Sequence, residues 1–477
     1  MWRRTLPALL LVALAFGCSL APRYTRPELP SPEAWRDSIA TPDTTIAETP
    51  WWELLGDEKL KELVEIALTE NQDLKIAVER IEEARARYGF AKGDFYPHVD
   101  AGAAGGQLQA SQGSLLHLPE GGALETHLYA LEASASWELD FFGRVRNASA
   151  AEKAKMLAAD QGRRAVVISL VADVGQAYVE LRDLDRQLEI ARQTLESRRE
   201  YLDLARVRFE GGVTPEGDMR QAESEYQRIR IIIFELEKLI SQKENQLSVL
   251  LGRMPASIAR GRTVDALPVP PQIPAGLPSS LLDRRPDLRE AEHQLIAANA
   301  RIGEAKALLF PRISLTGSFG YASTEMDEFF VGANQSWNFL GQLLQPLFHG
   351  GQNRRRVQVT ESQQRQAVYS YESTVIRAMR EVEDALVSYH KAGEQRTAQQ
   401  ARVEAERRVL DLAESRYRGG VAPYLEVLDA QRSLFSAEID EAETMRNHVV
   451  SLIQIYKALG GGWPQAAAPP AGSESGK

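Results

Sequence analysis

The side chains that could do chemistry in this 477-residue chain are its carboxylates, its guanidiniums and seven histidines, and their spacing speaks against catalysis. The histidines (98, 117, 127, 293, 349, 390 and 448) fall in no metal-ligand spacing. No H-E-x-x-H occurs, and one cysteine cannot form a pair. GGQLQ at 105–109 and GQNRRR at 351–356 lack the G-x-x-x-x-G-K-[ST] pattern of a phosphate loop. Asp283-Arg284-Arg285-Pro286-Asp287 gathers charge, but a proline followed by an acid reads as the start of a helix. What remains is YLEVLDAQR at 424–432. Leu425, Asp429 and Arg432 there stand at i, i+4 and i+7, on one helix face, with Glu426 beside them. Such a face is either solvated surface or a charged constriction, and the residues alone leave both open. No enzymatic activity and no cofactor is expected.

The elements that position this run are duplicated. RYRGGVAP at 416–423 repeats RFEGGVTP at 208–215, an offset of 208 residues. ARIGEAKALLFP at 300–311 repeats ARYGFAKGDFYP at 86–97, an offset of 214. The six-residue difference lies between Pro97 and Gly143 in the first copy, against Pro311 and Gly351 in the second.

That variable interval reads as strands. Tyr129, Leu131, Ala133, Ala135, Trp137, Leu139 and Phe141 alternate with smaller or polar residues. So do Ile313, Leu315, Gly317, Phe319 and Tyr321, and then Trp337, Phe339, Gly341 and Leu343. Val99, Ala101 and Ala103 begin a weaker, glycine-rich strand. Period-two alternation with aromatics near the ends suits a half-buried sheet or a lipid-facing barrel. Each copy thus supplies a hairpin, with its loop near 112–127 or 323–334.

The rest is helix. Leu170, Val174, Ala177, Leu181, Leu184, Leu188, Ala191 and Leu195 step as a heptad seam. Ala378, Val382, Ala385, Tyr389 and Ala392 follow more loosely in the second copy. Gly143–Glu210 and Gly351–Arg418 contain no proline, and as continuous helices each would run about 100 Å. Gly211-Gly212-Val213 and Gly419-Gly420-Val421 read as helix ends, with Pro215 and Pro423 in the first turn of return helices at about 215–251 and 422–458. Shorter helices are expected at about 57–93 and 284–309. Trp35, Trp51 and Trp52 read as packing anchors.

The N-terminus places the chain outside the cytoplasm. Arg3 and Arg4 precede an apolar run from Leu6 to Phe16, then Gly17 and Cys18. This is a secretory signal too short to span a bilayer, and its small residue before Cys18 predicts acylation there. Ser19 rather than Asp after the cysteine favours an outer-membrane destination, by analogy with lipoprotein sorting. A net charge of −10 offers no basic face for nucleic acid. The predicted organisation is a signal at 1–17, an acylated equatorial segment at 18–56, a first repeat at 57–251, a Pro-rich linker at 252–283, a second repeat at 284–458 and a tail at 459–477.

WWELLGDEKLKELVEIALTENQDLKIAVERIEEARA at 51–86 resembles the first helical signature of the TolC-like outer-membrane efflux factors. LLDRRPDLREAEHQLIAANARIGEAKALLFPRISLTGSFG at 281–320 resembles the second, and PRYTRPELPSPEAW after Cys18 is similar to the acylated, OprM-like branch. The resemblance implies a mainly α protein with a membrane β-barrel. Three protomers would give four strands each to a twelve-stranded barrel continued by a coiled-coil periplasmic tunnel. It implies the exit duct of a tripartite pump, joined to a periplasmic adaptor and an inner-membrane resistance-nodulation-division transporter. The Gly-Gly-Val turns (Gly211, Gly212, Val213, Gly419, Gly420 and Val421) would be the periplasmic tips that meet the adaptor. Tyr417, Leu425, Glu426, Asp429 and Arg432 match the family's gate, with Arg432 free to pair with Asp429 within or between chains. Ala422 stands where the family often has an acid. The alternative is a soluble periplasmic coiled-coil scaffold, with the strands forming a small sheet.

Overall fold

The structure, a computed structural model of the single chain, describes residues 19–30, 32, 34–36, 52, 55–109, 125–270, 273 and 278–461. The signal, Cys18, Trp51, most of the first hairpin loop and the tail lie outside the described residues.

Among the described residues, eleven principal elements of helix and strand follow the same order in both copies, apart from one break. Helices α1 (Glu58–Glu70) and α2 (Gln72–Gly93) precede strands β1 (His98–Gln109) and β2 (Glu125–Leu139). Long α3 (Arg144–Glu210) and its return α4 (Glu216–Leu250) complete the first copy. The second comprises α5 (Pro286–Ala307), β3 (Arg312–Ser323), β4 (Gln335–Leu344), α6 (Gln352–Arg418) and α7 (Tyr424–Ala458). The helix expected over 57–93 is broken at Asn71. This residue ends α1 by donating its backbone N–H to Ala67, and its Oδ1 accepts from the N–H of Leu74 (2.9 Å) to start α2. One short polar side chain serves both ends, which hydrophobic periodicity does not reveal.

The chain divides into two units. The first comprises residues 1–28, 80–160 and 290–372. Its sheet is an antiparallel meander in the order β1-β2-β3-β4. Registers such as Ala101↔Ala133, Ala133↔Phe319 and Phe319↔Trp337 align the alternating residues across strands. One face therefore carries Val99, Leu131, Trp137, Leu315, Phe319, Trp337, Phe339 and Leu343. Asp100, Glu132, Ser134, Thr316, Ser318 and Asn338 lie on the other. β2 begins at Glu125, four residues before its alternation becomes visible in the sequence, because His127 and Thr126 pair with β1 through their backbones. The segment after Cys18 is tied to α5: Tyr24 donates to Glu292 (3.0 Å), Arg26 donates to the same carboxylate, and Asn299 donates to the carbonyl of Pro22 (2.7 Å).

The second unit comprises 29–79, 161–289 and 373–477. The predicted seam is largely its core: Leu170, Val174, Ala177, Leu181, Ala191, Ala378, Val382, Ala385, Tyr389 and Ala392 are buried, while Leu184, Leu188 and Leu195 are half-buried. Asp57, 2% exposed, fastens the linker to it. Its Oδ1 caps α1 at Lys59 (2.9 Å) and Leu60, and its Oδ2 accepts from Tyr178 Oη (2.9 Å) and from the N–H of Arg262 (2.8 Å). A Cβ on Gly261 would stand 2.1 Å from this carboxylate, so only glycine fits there.

Asp183 is fully buried and accepts from Arg446 Nη1 (2.7 Å) and Gln187 Nε2 (3.0 Å). Burial pushes its carboxyl up to about 6, against the opposing pull of Arg446 and Gln187.

Two outcomes follow. Asp57→Ala removes a helix cap and two buried hydrogen bonds, and should cost about 3 kcal/mol in thermal or denaturant unfolding. An unchanged midpoint would count against this residue as the linker's fastening. For Asp183, a folded-state pKa above the ordinary 3.8 means that its contribution is fully present below about pH 4 and is lost as pH rises through about 6. Melting temperature should therefore fall less between pH 4 and 7 in Asp183→Asn than in the parent protein. Parallel curves would refute the assignment.

Candidate functional site

The two Gly-Gly-Val turns adopt one backbone cap. Gly420 N–H donates to Tyr417 O (3.1 Å) and Val421 N–H to Arg416 O (3.0 Å), with Gly420 at φ 74°. Gly212 N–H donates to Phe209 O (2.9 Å) and Val213 N–H to Arg208 O (2.8 Å), with Gly212 at φ 69°. These are the paired 5→2 and 6→1 bonds of a Schellman motif, and glycine takes the left-handed position without strain. Gly211 and Gly419 continue the helical bonding before it, to Val207 O and Ser415 O. Pro215 and Pro423 stand one place earlier than expected. They are N-caps with extended ψ of 155° and 158°, and the helices begin at Glu216 and Tyr424. Val213 and Val421 are 73% and 72% exposed, so each turn presents a small apolar knob.

Just behind the turns, the two copies share one core. Tyr201, Leu202, Ala205 and Ala222 pack with Ala413, Tyr417, Tyr424, Val427, Leu428 and Ala430. Tyr417 belongs to this core, with the Arg208 guanidinium 4.5 Å from its ring centroid, rather than to the exposed face. Leu425, Glu426, Asp429 and Arg432 do share the exposed side of α7. Glu426 pairs with Arg416 (3.1 Å).

Arg432 does not pair with Asp429 within the chain. Its Nε donates to Oε1 of Glu225 on α4 at 3.0 Å, and its Nη2 donates to the same oxygen. Arg228 Nε donates to the other oxygen (2.9 Å). Glu225 is 3% exposed. A buried carboxylate left unpaired is costly, whereas exposed Asp429 is solvated, so Glu225 takes the guanidinium. Burial opposes the Glu225 charge, but the bonds from Arg432 and Arg228 hold its carboxyl below the ordinary value. The same bond raises Arg432 above its ordinary value.

Arg198 on α3 was not legible as a site residue. It is 1% exposed, and none of its guanidinium nitrogens has a hydrogen-bond partner among the described residues. Burial lowers its pKa, while Tyr424 and Glu225 partly restore it. Glu225 is thus the acidic centre for three arginines, Arg198, Arg228 and Arg432, two of them bonded and one acting through space. Charged residues on long helices look solvated in sequence, and no local signal marks these as inward.

Among the described residues, no group of three or more His, Cys, Asp or Glu could hold a metal ion, and no helix is long and apolar enough to cross a membrane.

Residues 63–253 and 277–461 match the outer membrane efflux protein family, one match in each copy. The chain belongs to that family. It is 38% identical over 462 residues to the outer membrane protein OprJ of Pseudomonas aeruginosa, covering 96% of this chain and 95% of that protein. With the cation efflux system protein CusC of Escherichia coli it shares 35% identity over 459 residues, covering 95% and 98%. The open-state MtrE outer membrane channel of Neisseria gonorrhoeae superposes with a TM-score of 0.84 at 32% identity, over 93% of this chain and 98% of that one. This efflux protein is therefore an outer-membrane channel component, and the soluble-scaffold alternative falls away.

Glu225→Ala would leave Arg228 and Arg432 without their acceptor and Arg198 without its compensating charge. We expect about 2 kcal/mol of destabilisation, visible as faster limited proteolysis near residues 198–236. Proteolysis at the parental rate would show that the carboxylate does not hold the two copies together.

Proposed function

We propose that three copies of this efflux protein form one duct. Each copy would contribute four strands to a twelve-stranded barrel in the outer membrane, continued through the periplasm by the long helices. The duct receives substrates from an inner-membrane resistance-nodulation-division transporter through a periplasmic adaptor, and it performs no reaction on them. The observation that carries this reading is the sheet. Among the described residues it is apolar along one face and polar along the other, it has four strands, and β1 and β4 each have one unpaired edge. Open edges are not tolerated in hydrocarbon, and single-chain barrels begin at about eight strands, so strands from further copies must close it.

The remaining assignments follow from this placement. Cys18 carries the lipid anchor, next to the segment that Tyr24 and Arg26 fasten to Glu292. The Gly211–Val213 and Gly419–Val421 turns are the adaptor contacts, since they expose apolar knobs on backbone-fixed bends. Residues 252–283 form an equatorial linker between the two repeats.

Leu425, Glu426, Asp429 and Arg432 form the periplasmic gate, with Tyr417 as packing behind it. Three copies of exposed Asp429 make an anionic ring that favours cations and polar solutes, and Leu425, 52% exposed, makes an apolar collar. Arg432, bonded to Glu225 on the neighbouring hairpin, ties α7 to α4 beside the gate.

Planar-bilayer recording of the purified protein tests this reading. Asp429→Ala combined with Arg432→Ala should raise single-channel conductance severalfold and reduce cation preference. Unchanged conductance together with unchanged selectivity would refute the gate. Absence of any channel, or of a heat-sensitive trimer on a detergent gel, would refute the duct.

A further inference from the structure

The end of the sheet nearest the long helices differs between the two copies in a way that the duct function does not use. In the first copy, Glu138 and Asp140 stand ahead of Arg144 and Arg146. Arg144 donates to Glu138 through Nε (2.7 Å) and Nη2 (3.0 Å). Arg146 lies 3.5 Å from Asp140, whose carboxylate also accepts the N–H groups of Val145 and Arg146. Each guanidinium has its acid.

The 208-residue register places Pro346 and Phe348 where those acids stand, and Arg354 where Arg146 stands. Arg355 and Arg356 replace Asn147 and Ala148. The second copy thus has three consecutive arginines and neither acid. All three are exposed, Arg355 donates only to Gln358 (3.0 Å), and none has a carboxylate within pairing distance among the described residues. They also sit in the first turn of α6, where the helix dipole is itself positive and cations are disfavoured. An arrangement of this kind is stabilised by an anion.

Its surroundings define which anion. Arg356 borders a cavity of about 260 Å³ that Arg312, Glu138 and Asp140 also line, and Arg312 lies 3.5 Å from Glu138, so the charge inside is already matched and the anion is left to the exposed arginines beside it. Phe142 and Phe310, stacked at 5.0 Å, and Pro346 form its apolar wall. Leu347 and Phe348, between β4 and the arginines, are 91% and 86% exposed. Apolar side chains, then guanidiniums, in the order in which acyl chain gives way to headgroup, is the pattern of an anionic-lipid contact.

We propose that Arg354, Arg355 and Arg356 bind the phosphate of an anionic phospholipid in the periplasm-facing leaflet, with Leu347 and Phe348 set among its acyl chains. The inference rests on the outer-membrane placement above, and conductance measured on the same preparation separates the two. A protein that conducts but shows no lipid preference overturns this proposal alone.

The test is native mass spectrometry of the full-length protein in detergent, titrated with phosphatidylglycerol, phosphatidylethanolamine or inorganic phosphate. Phosphatidylglycerol should bind in preference to phosphatidylethanolamine. Arg354→Gln with Arg356→Gln should weaken it by about thirtyfold. Arg354→Lys with Arg356→Lys should retain most of the binding, and the remote exposed Arg408→Gln should leave it unchanged. Equal binding by parent and Gln variant overturns the proposal, as does displacement by millimolar inorganic phosphate, which would make the site one for a free anion. A Gln variant whose trimer is weakened while its lipid preference stays intact would assign the arginines to the adjoining subunit instead.

Discussion

A β-sheet that is apolar on one face and open at both edges cannot rest in a bilayer by itself. Each unpaired N–H and C=O along β1 and β4 would face hydrocarbon without a partner, at a cost of several kcal/mol per group. Most of the chain's remaining architecture answers that constraint. The strands can stay few only where further copies close the sheet, as the proposed duct requires. The gene duplication supplies two hairpins whose inner strands, β2 and β3, already pair in the same antiparallel register as the hairpins themselves.

Much of this was readable from residue order because both periods are carried by side chains in direct contact. The heptad from Leu170 to Leu181 is buried where the pattern says, as is the looser one from Ala378 to Ala392, while Leu184, Leu188 and Leu195 are half-buried. The Gly-Gly-Val turns were legible for a different reason: a left-handed C′ residue restricts the amino acid to glycine almost regardless of context. What escaped depended on single polar atoms. Asn71 interrupts a helix without disturbing its apolar stripe. β2 extends to Glu125 through backbone pairing that polar side chains do not advertise. Arg432 finds Glu225 across 207 residues, a distance at which no spacing rule applies. Arg198 is the extreme case, a guanidinium with every sequence attribute of a surface residue and 1% exposure.

The two copies keep their backbone in common and divide their electrostatics. Near the sheet, the first copy neutralises its arginines with Glu138 and Asp140, while the second leaves Arg354, Arg355 and Arg356 without a carboxylate among the described residues. Near the turns the roles reverse. The first copy supplies the buried carboxylate, Glu225, and the second supplies the exposed acids and the arginine that reaches across. Divergence has fallen on charge and on the seam as well, where Leu170, Leu181, Leu188 and Ala191 correspond to Ala378, Tyr389, Arg396 and Gln399 in the 208-residue register.

The paired Schellman caps bear on how such a protein can change over time. Each bend is closed by main-chain hydrogen bonds and by one glycine at positive φ, with no side chain taking part. Its curvature is accordingly independent of the residues that flank it. Selection can rewrite the surface at the extremity, residue by residue, while the path of the polypeptide through the reversal stays fixed. The surface there can therefore drift without changing the course of the backbone.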